Sequence, residues 1–379
     1  MTAHLTATGI ARFGRRSEGL VDLMAEAGRA ALDGIGRKPV DLLVVGNMAA
    51  GALNDVENLA PRLADRLGLD AAGAYRVEAA SASGAAAAHA AIASVLSGLS
   101  RRALVIAGEK MTDRPTPEVA QVLARSLAPS ESASGATMPG LAALVSQAYL
   151  ARHGLDASAL TAVTVQAREN SSRNPSAQFT TPVRSEEVES SRPVALPLRL
   201  LHCAAISDGA AAVVVERGKG PATVLGIGQG LDNLMLVDRA DWTSFRATRI
   251  AAQRAYEMAR MTRKEVQFAE LHDAFAPFAC IDLEDIGACG SGEGPGWFAR
   301  GWTATGGRFP VNPSGGCLGR GHPVGASGLV QVAEVARQLL GEAGPLQLPQ
   351  RPRVGLAQSI GGLASHNFVT ILGDARGAA

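Results

Sequence analysis

The stretch from Tyr75 to Leu96 constrains this chain more than any other. It starts as a short β-prone run, turns between Glu78 and Ser81, and continues as a helical pattern made almost wholly of Ala, Gly and Ser. Side chains that small cannot fill a core themselves, so a helix built from them is one that other elements approach closely from all sides. The expectation is a central buried helix with Ser81 at its N-terminal end. Unpaired backbone N–H groups and the positive end of the helix dipole at that place favour a developing anion. Two roles fit Ser81: a nucleophile held in that field, or an N-cap, which serine also fills well.

With 379 residues the chain exceeds the usual size of one core, and two core-forming units are expected. Thirty-six basic residues balance 35 acidic ones, so nothing resembles the basic patch of a nucleic-acid binder. The cysteines Cys203, Cys280, Cys289 and Cys317 form no CxxC pair and no disulfide-like spacing, which fits a reducing cytoplasm. Residues 1–9 carry no basic-then-apolar pattern, and no apolar run approaches the roughly 20 residues of a membrane span. A soluble protein without membrane association is expected.

Asp41–Gly46 and Arg102–Gly108 are short apolar runs ending in Gly, which read as strands buried on both faces. Helical patterns at 19–32 and 55–67, together with the Ser81 unit, surround them, and the alternation predicts a mixed, mainly parallel sheet. Between about 111 and 200 the chain turns polar and irregular, an excursion that reads as a functional lid or binding subdomain. Leu201–Glu216 returns to strand character after a turn at Ser207–Gly209. The second half holds a strand at 222–228, a helix at 244–260, a strand at 268–272 running into a helix near Asp273, and a helix after His322. Strands at 354–358 and 367–372 close it, joined by a loop that opens at Ser359. Ala82-Ser-Gly84 and Ala326-Ser-Gly328 each open a helix rich in small residues, one per half, which points to duplication.

Three polar residues stand at strand-to-helix junctions. His322 lies in Gly321-His-Pro323, where proline fixes the backbone and a helix follows. His272 ends a strand, with Asp273 placed to cap the next helix. Such strand ends are where open α/β folds build sites, and a hydroxyl nucleophile such as Ser81 needs a base beside it. A single histidine is as readily structural, and His4, His89, His153, His202 and His366 lack comparable context. Competing motifs fail: Ala79 and Ser83 occupy the glycine positions of a nucleophile elbow, and residues 226–230 miss the dinucleotide-binding spacing. No phosphate loop and no metal-ligand spacing occur, so neither a metal nor a bound cofactor is expected.

Taken together, Val77–Gly84, Ser207–Ala212, Glu270–Phe275, Asn312–Gly316 and Gly321–Pro323 resemble the motifs of the thiolases, and among them the sterol-carrier-protein type. The similarity runs from roughly Gly9 to Leu372. It implies an α/β thiolase fold of five αβαβα layers in two similar halves: 1–217 with an inserted loop subdomain of about 111–200, and 218–379 carrying His272 and His322. It also implies homodimers or tetramers, coenzyme A thioesters as substrates, a role in lipid metabolism and, in some relatives, a zinc-ribbon/OB-fold accessory protein. The chain ends at Ala379, so no sterol-carrier domain is expected. By this resemblance Ser81 takes the place of the acyl-carrying cysteine, and His322 that of the histidine activating it. His272 helps to form one oxyanion hole, and the N–H groups of Ser81 and Gly361 form the other.

The departures from the family matter as much. Serine is far less acidic than a cysteine at a helix N-terminus, so Ser81 needs a base. The second catalytic cysteine aligns with Ser359 in most thiolases and with Ala274 in sterol-carrier-type ones, and neither is cysteine here. Cys280, Cys289 and Cys317 are near in sequence but read as packing residues. Three explanations stay open: a Cys→Ser form of a thiolase, a natural acyltransferase working through serine, or a non-catalytic subunit that binds acyl-CoA or supports a partner. In each, the chemistry to be tested is acyl transfer or Claisen condensation and thiolysis through position 81.

Overall fold

The computed structural model describes residues 1–70 and 72–374. Nine strands form its main sheet: β1 Ala3–Ile10, β2 Leu42–Gly46, β3 Gly73–Val77, β4 Arg102–Glu109, β5 Gly209–Arg217, β6 Thr223–Leu231, β7 Phe268–Glu270, β8 Val354–Gly361 and β9 His366–Gly373. Their spatial order is β3-β2-β4-β5-β1-β6-β9-β8-β7, with β1 and β6 meeting where the two halves join. Only β2 with β3, β2 with β4 and β7 with β8 pair in parallel; the other neighbours are antiparallel, which corrects the mainly parallel sheet expected. Strands buried on both faces read as unbroken apolar runs in either direction, so the sequence pattern carries no sign of it.

Alternation within these runs divides the core. Val44, Val105 and Val213 face a cluster with Ile92 and Leu329, while Leu43, Leu104 and Val214 face Leu23 and Met24 of the Leu20–Gly34 helix. In the second half Leu356 and Ile371 pack with Ala251, Ala255 and Phe278, and Ala357 and Leu372 turn back toward the centre. The layers are therefore helix, one half of the sheet (β3-β2-β4-β5-β1), two central helices, the other half (β6-β9-β8-β7), helix. Helix boundaries shift where the backbone forces them. The helix expected at 55–67 runs only over Leu59–Leu67, because Asp55 and Asn58 take left-handed conformations, and a separate short helix, Ala50–Asn54, precedes it. Ser359 to Gly361 belong to β8 rather than to a loop.

The central helices are Ser83–Ser97 and Val324–Leu340. They meet through one glycine each: a Cβ on Gly84 would lie 2.7 Å from the Leu329 nitrogen, and one on Gly328 would lie 2.7 Å from the Ala85 nitrogen. The small-residue stretch is thus explained by backbone-to-backbone contact, repeated reciprocally in the two halves. The window Ala80–Ser97 is apolar enough by length and composition to cross a membrane, and 72% of it is buried inside the fold. Replacing Gly84 by Val is expected to destabilise the protein by about 3 kcal/mol or more, since backbone on both sides cannot yield. A thermal unfolding midpoint equal to that of the parent would disprove this packing.

The excursion after β4 holds the helices Thr116–Ala124, Met138–His153 and Thr161–Ser172 and a small hairpin of Pro193–Ala195 with Leu198–Arg199. It does not form a core of its own. Leu141, Val145 and Tyr149 join one cluster with Phe278, Leu318 and Ile360 of the second half.

Candidate active site

Ser81 lies two residues before the first central helix, just after Ala80, whose φ of 49° makes the sharp turn out of the preceding segment. The cap position belongs to Ala82 and has no side-chain cap bond, so Ser81 does not serve as the N-cap. Its neighbour Ser83 fastens the turn, accepting from the Ala79 N–H at 2.9 Å and donating to the Ala80 carbonyl at 2.6 Å. The Ser81 hydroxyl, 9% exposed, donates across the interface of the halves to the Ile360 carbonyl at 2.8 Å.

His272 and His322 come together because one carboxylate links their segments. Asp273 does not cap the helix that follows it, which starts at Ala276 with Phe275 at the cap position. Instead it accepts from the Cys317 N–H at the start of the short Gly316–Arg320 helix, and so draws the 270–275 segment against the residues leading to His322. Asn312, at φ 50°, accepts from the Leu271 N–H at 2.6 Å, and the Gln358 side chain accepts from the His272 N–H at 3.0 Å. Glu270, the last residue of β7, accepts from both the N–H (3.0 Å) and the hydroxyl (2.7 Å) of Ser314. The two imidazoles then stand edge to face with centroids 4.9 Å apart.

The His322 tautomer follows from its surroundings. Its Nδ1 lies 2.7 Å from the Ser327 hydroxyl, which itself donates to the Pro323 carbonyl at 3.1 Å. Ser327 therefore accepts from Nδ1–H, leaving Nε2 unprotonated. Burial, with the nearby Arg320 guanidinium, lowers the His322 pKa to about 4 and keeps the ring neutral. Burial also holds His272 well below its usual value, reinforced by His322 and Arg320. A reaction that uses neutral His322 as base is expected to run at a pH-independent rate from pH 8 to 5 and to fall as pH drops through about 4, because protonation removes the base. A fall centred near 6.5, the usual histidine value, would contradict this environment.

Ser81, His272 and His322 line one cavity of about 510 Å³, together with Ala274, Ile360 and Gly362. Its walls come from the excursion, through Leu123, Met138, Val194 and Leu200, and from Phe275 and Phe278 of the second half. Of the other residues singled out in the sequence, Ser359 is 2% exposed, and a Cβ on Gly328 would meet its hydroxyl oxygen at 2.7 Å, which faces it toward the central helices. Its hydroxyl has no hydrogen-bond partner among the described residues. Gly361 packs so tightly that an added Cβ would lie 2.8 Å from the Ala79 carbonyl, next to the Ser81 turn. Neither is among the cavity-lining residues, whereas their neighbours Ile360 and Gly362 are.

Tertiary structure also assembles what sequence spacing hid. Donor atoms of His272, Cys317 and His322 lie within 4.8 Å of one another, a grouping able to hold a metal ion. Cys317 is fully buried and burial pushes its thiol well above the usual value. The motif Ser207–Gly209 serves the fold, because the Asp208 carboxylate accepts from the N–H groups of Met111 at 2.7 Å and Thr112 at 2.8 Å and so pins the start of the excursion to β5. Buried Glu109 likewise accepts from the Met48, Ala49 and Gly325 N–H groups, which ties β4 to the start of the second central helix. Sequence reading passed over Glu109, although an acidic residue ending an otherwise apolar strand was the available signal.

Residues 1–219 match the family profile described as "Thiolase, N-terminal domain", and residues 228–374 match "Thiolase C-terminal domain-like". The chain belongs to the thiolase family. It is 40% identical over 352 residues to an acetyl-CoA acetyltransferase of Methanothermobacter thermautotrophicus, covering 90% of this chain and 91% of that one. It is also 34% identical over 294 residues to the benzoylsuccinyl-CoA thiolase subunit BbsB of Thauera aromatica, covering 76% of each. Among solved structures, the "Ltp2-ChsH2(DUF35) aldolase" superposes with a TM-score of 0.84 at 24% identity, over 99% of this thiolase and 98% of that chain. At that identity the likeness carries the fold.

Proposed function

We propose that this thiolase is an acyl-CoA acyltransferase in which Ser81 carries the acyl group and His322 is the base. The observation that supports it most is the convergence on one cavity of a helix-N-terminal hydroxyl and a neutral imidazole whose tautomer leaves Nε2 unprotonated. The Ser81 hydroxyl turns from the Ile360 carbonyl toward His322, gives up its proton, and attacks the thioester carbon. The oxyanion is met by N–H groups at the helix start, in the positive end of its dipole. The carbon–sulfur bond breaks, His322 gives that proton to the departing coenzyme A thiolate, and it takes the acceptor's proton and returns it to the Ser81 oxygen when the acyl group is passed on. His272, held neutral, is placed to donate a hydrogen bond to the second thioester oxygen, where an enolate develops during condensation or thiolysis.

A partner protein and assembly as a homodimer or tetramer belong to this reading, supported by the two-protein name of the similar aldolase structure and by what the family implies. Incubation with acetyl-CoA and octanoyl-CoA, followed by intact mass, tests the covalent step: an acyl adduct on Ser81 is expected. A second reading is favoured by the Ile360 bond, which holds the Ser81 proton away from any imidazole. In it the cavity binds acyl-CoA without a covalent step, as an accessory subunit or a lyase. No adduct in either the parent or Ser81→Cys, alongside measurable acyl-CoA binding, would select it.

A further inference from the structure

The motif positions that carry the acid/base cysteine of thiolases hold Ala274 and Ser359 here, yet the cavity is not without a thiol. Cys203 lines it together with Ser81, His272, Ala274 and His322, and all four cysteines of the chain lie among the described residues. It alone of the four lines this cavity: Cys280 and Cys317 are fully buried, and Cys289 sits among Glu284, Glu293 and Arg263.

Its position is set by backbone pairing with the segment where the missing thiol would stand. Cys203 forms an antiparallel bridge with Phe275, and the Ala204 N–H donates to the Ala274 carbonyl at 2.8 Å. Residues opposed in such a bridge have Cα atoms about 5 Å apart. Residue 274 adjoins the bridged Phe275, and Cys203 and Ala274 both line the cavity. The sulfur donates weakly to the Arg199 carbonyl at 3.5 Å, a bond long enough to yield to substrate. In the same cavity, His272 is 1% exposed and its Nδ1 has no partner among the described residues, which leaves an unused polar atom to meet the oxygen of an enolate.

We infer that Cys203 is the acid/base of the carbon–carbon step, replacing from across a strand bridge the cysteine absent at position 274. The inference rests on the acyltransferase reading. In thiolysis, Ser81 attacks the β-keto carbon and its proton passes to His322. The Cα–Cβ bond breaks, its electron pair goes to Cα as an enolate, and the Cys203 S–H protonates that carbon. The thiolate left behind takes the proton from the His322 imidazolium, and neutral His322 then takes the proton of incoming coenzyme A. The coenzyme A thiolate then attacks the acyl ester, and the Ser81 oxygen recovers its proton from His322. Burial pushes the Cys203 thiol up to about 12, so the group rests as S–H, the form this direction needs, while Arg192 on the same wall favours the transient thiolate.

The test is the exchange of α-protons of acetyl-CoA and octanoyl-CoA for deuterium in D2O, followed by NMR, with intact mass at Ser81 measured in parallel. Cys203→Ala is expected to slow exchange at least 100-fold while Ser81 still forms its acyl adduct. The double variant Cys203→Ala with Ala274→Cys, which moves the thiol across the bridge, is expected to restore exchange to within tenfold of the parent. Exchange unaffected by Cys203→Ala, or absent from the parent, overturns the inference, as does a double variant that stays inactive. Failure of the acyltransferase reading shows separately, as the absence of a Ser81 adduct.

Discussion

Replacing His322 by Ala is expected to slow acylation of Ser81 by about 10³-fold, within the 10²–10⁴ range of a positioned general base. The size follows from how completely the nucleophile depends on it. A serine hydroxyl is protonated at any physiological pH, and no carboxylate is among the described residues lining the cavity to take its proton. His272 is the poorer replacement, since its charged form is disfavoured by His322 as well as by burial and Arg320. The measurement is the rate of adduct formation by rapid quench and intact mass, with the thermal midpoint recorded to show that the fold persists. Acylation at the parental rate would remove His322 from the mechanism. A companion change separates base from bystander: Ser327→Ala deprives Nδ1–H of its acceptor and frees the tautomer, so a partial loss of about tenfold is expected.

Changing Ser81 to Cys is expected to raise acyl transfer by two orders of magnitude or more. The side chains differ by one atom, so the cavity has little to rearrange. The thiol is more acidic than the hydroxyl by several pKa units and sits at the start of a buried helix beside an imidazole, where thiolate is favoured. A thioester is also the better acyl donor, so both half-reactions gain. Turnover of acetyl-CoA and of a β-ketoacyl-CoA by the two forms gives the comparison. An inactive Ser81→Cys variant would point to the accessory or lyase reading, because the remaining machinery would then lack more than a reactive nucleophile. A large gain would identify the serine as what limits an otherwise complete thiolase site.

How much of this was legible in the sequence differs from element to element. Continuous apolar runs read at 41–46 and 102–108 match the strands Leu42–Gly46 and Arg102–Glu109 to within one residue at each end, because burial on both faces leaves an unbroken pattern. That pattern could not reveal that β5 enters antiparallel between β4 and β1, since direction leaves no trace in an apolar run. Asp273 illustrates the same limit for a single side chain. Its position before a helix made it look like that helix's cap, but its carboxylate reaches a different helix 44 residues on, and through that bond sets the histidine pair.

The sequence by itself determined that a small-residue helix occupies the centre, that Ser81, His272 and His322 stand at element junctions, and that the chain carries thiolase motifs in both halves. These are local matters: side-chain volume, hydrophobic period and turn chemistry act within a few residues of where they are written. Only the tertiary structure decided the partners. The Ser81 hydroxyl meets a carbonyl 279 residues away, Ser359 faces the central helices while Ile360 lines the cavity, and Cys203 arrives beside Ala274 across a strand bridge. Contacts at such separation depend on how whole layers stack, and that stacking is set by the sum of many buried surfaces rather than by any one segment.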